Sequence, residues 1–291
     1  MTQKTNQARA NFDGPVEIKA RNMNFEKIKD VNMHNWHSGN PIISQFFNAM
    51  SLTFPDGEDM FVHSVRLHAN VIDDPKLKAH AKGFMTQEAI HSREHELYND
   101  AMLEQGIPGE GILEFQKKGN AWARKKINKA FLLSGTAAAE HFTAALADLA
   151  FTDPRFLGEK SDPYMRRLWH WHAVEETEHK AVAYDVYKKA YPGLKGYAIR
   201  ATTMFLNLLT MMPGMIYGMF VLLKGLEEKP TGKQWREALS WAFGTGGGFM
   251  WKIHLLALPY FKPSFHPWDE QNFHYVEEWN KREGEADAAA A

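Results

Sequence analysis

The chain has 291 residues, of which 44% are hydrophobic and 13% aromatic, and this is enough apolar material for a substantial core. Its 34 basic and 35 acidic residues leave a formal net charge of −1, so no overall positive field attracts nucleic acid, and no nucleic-acid partner is expected. The absence of cysteine excludes disulfides, thiolate metal sites and a cysteine nucleophile.

The composition divides the chain into four regions. Residues 1–24 are polar and aperiodic, which predicts a flexible N-terminal segment, and residues 284–291 read as a flexible tail. Between them we expect a metal-binding helical bundle over 25–190 and an apolar C-terminal helical extension, packed on the bundle, over 191–283. The polar N-terminus lacks the apolar run of a signal peptide, so a cytoplasmic location is expected.

The central part of the chain shows helical periodicity and no run of strand alternation, which predicts an all-α fold. Turn chemistry rich in Pro, Gly and Asp separates the periodic segments, at 54–57, 73–75, 106–109, 153–154 and 191–193. Four long helices within Glu58–Ala190 match a four-helix bundle that encloses a site, with additional C-terminal helices. The predicted helices are Pro41–Leu52, Glu58–Val71, Pro75–Gln105, Asn120–Phe151, Pro163–Ala190 and Ala198–Leu223.

The predicted helices of the bundle carry a repeated pattern of metal-ligand residues. In chain order it reads one Glu, an ExxH motif, one Glu and a second ExxH motif. Residues three apart share a face of a helix, so each ExxH motif directs a carboxylate and an imidazole toward the same point. The six candidate metal ligands are Glu58, Glu88, His91, Glu140, Glu176 and His179.

Charge balance favours two metal ions at this site. Glu140 lies in an alanine-rich stretch with few groups to solvate it, and buried carboxylates without counter-charge cost several kcal/mol each. Two divalent cations balance four carboxylates and accept two neutral imidazoles as further ligands. Oxygen-rich, sulfur-free ligation favours two iron ions, with manganese and zinc as alternatives.

Neighbouring residues leave two questions of register open. His95 lies one turn after His91, and His172 lies one turn before Glu176; each is either a further metal ligand or a hydrogen-bonding partner that orients one. Glu175 and Glu178 are alternatives to Glu176, which is preferred because only Glu176 has a His at both +3 and −4. Glu58 is the least secure of the ligands because it stands beside a predicted turn.

These motifs resemble those of the ferritin-like di-iron carboxylate superfamily and, more closely, of a bacterial family described as predicted metal-dependent hydrolases. The closer resemblance spans about Pro41 to Trp279 and implies a ferritin-like bundle. The additional histidines also resemble the p-aminobenzoate N-oxygenase type of di-iron enzyme, which implies oxygen activation. The closer resemblance rests on Phe54-Pro55-x-Gly57-Glu58, Gln87-Glu88-Ala-Ile-His91-Ser-Arg-Glu-His95, Ala139-Glu140-His141, Trp171-His172-x-x-Glu175-Glu176-x-Glu178-His179-Lys180 and Phe265-His266-Pro267-Trp268.

The two resemblances imply different chemistries. As an oxygenase or oxidase the protein would use dioxygen and an electron donor on a small, hydrophobic or aromatic substrate. As a hydrolase it would use a metal-activated water, with His172 or Glu175 as the catalytic proton carrier. Helical bundles with paired ExxH motifs favour the oxygenase by analogy. Aromatic and methionine residues near the motifs were candidates for a substrate pocket or for plain core: Phe84, Met85, Tyr98, Met102, Phe142, Trp169 and Trp171.

An uncharged stretch between Arg200 and Lys224 is long enough to span a membrane. It contains Asn207 and Pro213, which favour a buried helix pair broken at Pro213-Gly214 over a membrane span. Its apolar character also makes membrane-surface contact through 200–224, and a homodimer, candidate interactions.

Overall fold

The computed structural model describes residues 17–244 and 248–290, and within them the fold is all-α, without strands. Short 3-10 turns at Glu26–Asp30, Ala69–Val71, Leu258–Phe261 and Pro267–Asp269 join or flank the helices. The helices are α1 Pro41–Ser51, α2 Phe54–Arg66, α3 Pro75–Glu104, α4 Glu110–Lys126, α5 Lys129–Thr152, α6 Pro154–Leu157, α7 Pro163–His179, α8 Val182–Ala190, α9 Gly193–Gly225, α10 Gly232–Phe243, α11 Phe249–Ala257 and α12 His274–Ala290.

Side-chain caps start several of these helices where the turn chemistry predicts a boundary. Asp74 accepts the backbone N–H of Leu77 at the start of α3, and Asp162 accepts those of Tyr164 and Met165 at the start of α7. Each cap satisfies backbone donors that have no partner inside the helix, and a proline follows it at the first helical position. The caps therefore fix where the two helices that carry the ExxH motifs begin.

Several predicted boundaries were wrong. Phe54-Pro55-Asp56-Gly57 forms the first turn of α2 instead of a separate turn, because proline is favourable at a helix start. The long predicted helices Asn120–Phe151 and Pro163–Ala190 are each divided in two, at 127–128 and at 180–181. Helix α2 begins four residues before, and ends five residues before, the predicted helix Glu58–Val71.

The site is surrounded by five helices, four of which carry its side chains. Helix α2 packs on α3 and α5, α5 packs on α7 and α8, and α3 packs on α7 and α8. Along α3, the site residues Glu88, His91 and His95 lie between Phe84 and Tyr98, which belong to two different apolar clusters. The polar site therefore separates two parts of the core, and each part holds one end of the helices that carry it.

The apolar helix α9 differs from its prediction. It is one continuous helix of 33 residues with Pro213 in its interior, so the predicted break at Pro213-Gly214 was wrong. A proline removes one backbone hydrogen bond, and packing of α9 on α1 and α5 holds the helix on both sides of that point. Among the described residues, α9 is the helix whose length and composition would allow it to cross a membrane.

Of the most apolar 18 consecutive residues of α9, only 33% are buried. The expectation of a buried segment therefore holds for one face of the helix. Met212, Met215 and Met219 are in the core, whereas Phe205, Leu209 and Tyr217 are 56%, 56% and 71% exposed.

Candidate metal centre

All eight of the predicted and candidate ligands come together in one buried cluster. Helix α2 contributes one residue, α3 three, α5 one and α7 three. Each of these side chains is buried, although each is polar or ionisable. They are Glu58, then Glu88, His91 and His95, then Glu140, and then His172, Glu176 and His179.

One part of the cluster is centred on His179. Its Nε2 atom lies 3.0 Å from Glu88 Oε1, 3.4 Å from Glu140 Oε2 and 3.5 Å from Glu176 Oε2. In spite of these short distances, His179 Nε2 makes no hydrogen bond of acceptable geometry. Three carboxylates and an imidazole that approach one another without bonding to one another are arranged as donors to a shared cation.

The other part of the cluster is centred on His91 and His172, whose rings stack with centroids 4.1 Å apart. Glu88 and Glu176 belong to donor groups in both parts of the cluster, so these two carboxylates join its two parts. Among the described residues, four groups of three have ligand atoms within 4.8 Å of one another: Glu58–Glu88–His91, Glu58–His95–His172, His91–His172–Glu176 and Glu88–Glu176–His179.

Several buried polar atoms of the cluster lack hydrogen-bond partners, and bound cations would supply these partners. Both carboxylate oxygens of Glu58, Glu88 and Glu140 are buried without a hydrogen-bond partner, and so is Nδ1 of His91. Burial, followed by repulsion from Glu88, raises the pKa of both Glu58 and Glu140 well above the ordinary value. Unpaired buried carboxyl groups are costly, and metal ions would supply both the missing charge and the missing partners. The donor set therefore fits the two metal ions that charge balance predicts.

A hydrogen-bond network behind the cluster orients the two ExxH histidines. His91 Nε2 donates to Glu175 Oε2 at 3.0 Å, which directs Nδ1 of His91 into the cluster. His179 Nδ1 donates to Gln87 Oε1 at 2.8 Å, and Gln87 Nε2 donates to Glu178 Oε2 at 2.8 Å. Metal-binding histidines commonly have such a partner on the second ring nitrogen.

Arg21 joins the two branches of this network. Its guanidinium donates to Glu178 at 2.6 and 2.8 Å and to Glu175 at 3.2 Å, and its backbone N–H donates to Glu175 at 2.9 Å. One arginine therefore holds both carboxylates that stand behind His91 and His179. Arg21 belongs to the segment 1–24 that we excluded from the bundle; residues 1–16 of that segment lie outside the described residues.

A second chain of hydrogen bonds fixes the orientation of His172. Ser51 Oγ donates to Asn99 Oδ1 at 2.8 Å and so accepts from His95 Nδ1 at 2.9 Å; His95 Nε2 then accepts from His172 Nδ1 at 2.9 Å. This order leaves a lone pair on His172 Nε2, which lies 3.0 Å from Glu176 Oε1. Two acceptors at that spacing need a positive charge between them, either a proton or a metal ion.

The network bears on which glutamate of α7 faces the cluster, where Glu175 and Glu178 were the alternatives to Glu176. Glu176 faces the cluster, whereas Glu175 and Glu178 face Arg21. The Glu175 carboxylate contacts the far side of the His91 ring, so its predicted proton-carrier role would have to act through that ring. The ligand roles of the individual residues and the catalytic roles of His172 and Glu175 stay predictions. The sequence pattern predicts no role for Arg21, and it includes Gln87 in a motif without a role of its own.

A cavity of about 830 Å³ reaches the cluster. Its inner wall includes Glu58, His172 and Glu176, and its outer wall comes from α1, α2, α4 and α9. None of the seven aromatic and methionine residues that we considered as pocket lining borders it. Six of those seven side chains are buried, in keeping with their alternative reading as core. The cavity wall instead comes largely from the apolar C-terminal helix, because α9 packs beside the bundle.

Of the comparisons with known proteins, the one with protein families gives a match. No curated protein and no solved structure matches the chain. The model of a family described as predicted metal-dependent hydrolase matches residues 19–271, which include every residue of the cluster as well as Arg21 and α9. The chain belongs to this family of predicted metal-dependent hydrolases.

Proposed function

We propose that the protein is an enzyme with a dinuclear metal centre that hydrolyses a small, largely apolar molecule. The observation that carries this proposal is the shared wall: Glu58, His172 and Glu176 belong both to the donor cluster and to the lining of the cavity. A molecule in the cavity can therefore reach the metal-binding side chains. The family description favours hydrolysis over the other chemistries of such centres.

The residues of the cluster divide into those that would hold metals and those that would position them. Glu58, Glu88, Glu140, Glu176, His91 and His179 would hold the ions, which when bound would polarise the scissile bond and lower the pKa of a water molecule. Arg21, Glu175 and Gln87 would keep the two imidazoles in the correct tautomer and orientation. The apolar cavity wall would exclude bulk water from the reacting groups.

His172 is the candidate to move a proton. It borders the cavity, and its Nδ1 atom is hydrogen-bonded to His95, which is bonded in turn to Ser51. A proton taken up by His172 Nε2 from the attacking water would be stabilised by this neutral chain and by Glu176. Glu175 contacts His91 instead of the cavity, so we assign it a positioning role.

An oxygen-dependent oxidation is the second candidate. It is favoured by the donor set, in which four carboxylates and no sulfur surround the site, an arrangement that suits iron. Two iron ions would then supply the reduction of dioxygen, with electrons from a separate donor. The cavity would serve both reactions equally, because each needs an apolar molecule beside the metals.

The two reactions differ in their need for oxygen. The purified protein should be loaded separately with Fe(II), Mn(II) or Zn(II), and then given neutral esters of increasing chain length under strictly anaerobic conditions. A hydrolase should release product without oxygen or reductant and only when it is loaded with metal. Product formation that requires both oxygen and reductant, with a transient visible absorption on mixing the reduced protein with oxygen, would contradict hydrolysis and support the second candidate.

The metal centre itself is tested by removing one donor. Glu140→Gln keeps the volume of the side chain but removes its charge, so we expect metal content to fall from about two ions per chain to one or fewer. The measurement is metal analysis after anaerobic loading and desalting. Glu94→Gln is the matched control, because Glu94 is equally buried but accepts Phe25 N–H outside the cluster. Full occupancy in Glu140→Gln would refute the ligand role of Glu140.

A further inference from the structure

Three glycines, each on a different helix, line the cavity and leave room beside them. Gly57 on α2, Gly111 on α4 and Gly214 on α9 all line it, and a Cβ atom built at any of them meets no atom within 4 Å. Glycine inside a helix is less favourable than alanine, because it loses more backbone freedom on folding. Since these three glycines are not required by close helix packing, the cavity is a feature that the chain maintains at a cost in stability.

Two residues that line this space carry buried polar atoms without a hydrogen-bond partner. Glu58 is 3% exposed, lines the cavity, and has no hydrogen-bond partner on either carboxylate oxygen. Asn207 lines the cavity from α9, and its Oδ1 atom is also buried without a partner. A buried amide oxygen within an uncharged, apolar stretch of helix is costly unless something bonds to it. Asn207 therefore indicates that a ligand supplies the missing hydrogen bond.

The charges of the lining restrict that ligand. Among the described residues, no lysine or arginine borders the cavity, and its charged side chains are Glu58 and Glu176 of the donor cluster. An anionic group in the cavity would find no basic side chain, and a cationic group along the outer wall would find no carboxylate. Farther along α9, the wall includes Met211, Met215 and Val221, which favour apolar contact.

We propose that this cavity binds an uncharged, largely apolar molecule that carries a hydroxyl or amide group, and that Asn207 recognises that group. A volume of about 830 Å³ accommodates a molecule of roughly drug size. The bound molecule is the substrate if the proposed function is correct. Its binding does not depend on the metals, because Asn207 and the glycines lie outside the donor cluster.

The test uses three probes that share one aromatic skeleton. N-phenyl-1-naphthylamine is neutral, carries one N–H group and fluoresces more strongly in apolar surroundings. Its 8-sulfonate derivative adds a negative charge, and 1-benzylnaphthalene replaces the N–H with CH₂. Full-length, metal-free protein is titrated with the amine, and the other two molecules are measured by displacement of the amine. We expect saturable binding of one amine per chain, with the sulfonate at least about 10-fold weaker.

Variants locate the probe within the cavity. Gly111→Leu should weaken amine binding at least about 10-fold by filling the cavity, whereas Gly119→Leu on the same helix should not, because Gly119 has open space but does not line the cavity. Gly214→Leu repeats the test from α9. Thermal unfolding of each variant shows whether it folds. Equal amine binding by both α4 variants would overturn the proposal, as would equal binding of amine and sulfonate.

Asn207→Leu tests the recognition of the polar group. The wild-type protein should bind the amine about 10-fold more tightly than 1-benzylnaphthalene, and the variant should lose this preference while it still binds both. An unchanged preference would remove Asn207 from the proposal. Metal uptake by the wild-type protein separates this proposal from the proposed function. If the wild-type protein binds the amine but takes up no metal after anaerobic loading, the enzyme proposal is refuted and the ligand proposal stands.

Discussion

At the scale of single residues, the orientation of the two ExxH histidines depends on one arginine outside the motifs. Arg21 holds Glu175 and Glu178, and these reach His91 directly and His179 through Gln87. The planar guanidinium with several donors suits this double task, because it binds two carboxylates in fixed directions. Burial lowers the pKa of Arg21, but hydrogen bonds and charge from Glu178 and Glu175 outweigh it and raise the pKa overall.

Replacing Arg21 should therefore weaken metal binding without removing a ligand. In Arg21→Ala the carboxylates of Glu175 and Glu178 lose their counter-charge, and the two imidazoles lose their fixed orientation. We expect metal affinity to fall by about 10- to 100-fold, as is typical when the partner of a ligating histidine is lost. The measurement is competition with a chromogenic chelator.

Arg21→Lys serves as the matched variant, since it retains the charge but cannot bond to both carboxylates in the same way. It should fall between the wild-type protein and Arg21→Ala. Arg282→Ala controls for the general loss of a surface arginine, because Arg282 is exposed on α12. An Arg21→Ala protein with wild-type affinity would show that Glu175 and Glu178 need no partner.

A second residue-scale prediction concerns stability at mildly acidic pH. His37 is 2% exposed, donates Nε2–H to the carbonyl of Phe156 at 2.9 Å, and stacks on Phe47. Burial lowers its pKa to about 4 from 6.5, so between these values the unfolded chain binds a proton that the folded chain does not. Stability is therefore lost as the pH falls through this window, by roughly 2 kcal/mol between pH 7 and pH 5.

The measurement is urea unfolding of metal-free protein at pH 7 and pH 5, so that changes in metal occupancy do not contribute. His37→Gln keeps a donor for Phe156 and should lose this part of the pH dependence. The same substitution at the exposed His274 should leave it intact. If wild-type protein and His37→Gln lose equal stability between the two pH values, the buried neutral imidazole does not account for the loss.

The ligand candidates were predictable from sequence, because a helix converts spacing directly into direction. Glu88 with His91, and Glu176 with His179, share helical faces, and the structure brings both pairs into the cluster. Arg21 was not predictable in this way, since it contacts Glu175 across a large separation in sequence and from a segment without periodicity. The position of Asn207 on the cavity wall likewise depends on how helices pack and not on local pattern.

At the scale of helices, positions were predicted well where caps mark them and poorly where packing decides. Helices α3 and α7 begin at the predicted residues, since Asp74 and Asp162 cap them. The division after Lys126 has a local signal that the predicted helix passed over, because Asn128 caps α5 by accepting the Ala130 N–H. The division after His179 carries no glycine, proline or side-chain cap. Conversely, α9 continues through Pro213, where local chemistry predicts a break, and its packing on α1 and α5 overrides that preference.

The C-terminal end of the chain is helical. Residues 284–290, part of the segment 284–291 that is predicted to be a flexible tail, lie in α12, which runs from His274 to Ala290. The stretch from 284 to 290 is rich in alanine, which has the highest intrinsic helix propensity, so a helix there is reasonable even without packing. Residue 291 lies outside the described residues.

At the scale of the whole molecule, the bundle and the C-terminal helices share one apolar core. Met212, Met215 and Met219 of α9 belong to the same buried cluster as Phe46 and Phe47 of α1. Farther along the chain, Phe249 packs on Phe46 with ring centroids 5.3 Å apart, and Trp241 packs on Phe156 at 6.1 Å. The boundary at residue 190 that composition predicts therefore divides a continuous core, and the helices that carry the donor cluster all lie before it.

This shared core predicts that residues 1–190 do not fold alone. Without α9 and α10, the apolar side chains of α1 lose their partners, and helix α1 is buried along all 11 of its residues. A chain that ends at 190 should aggregate or unfold without a cooperative transition, as measured by near-ultraviolet circular dichroism on heating, and should retain no metal after desalting. A chain that ends at 283 is the control and should behave as the full chain does, because it keeps every residue of the shared core. A fragment 1–190 that melts cooperatively and binds about two metal ions would instead make residues 191–283 a separable unit, whose role would then be limited to the cavity.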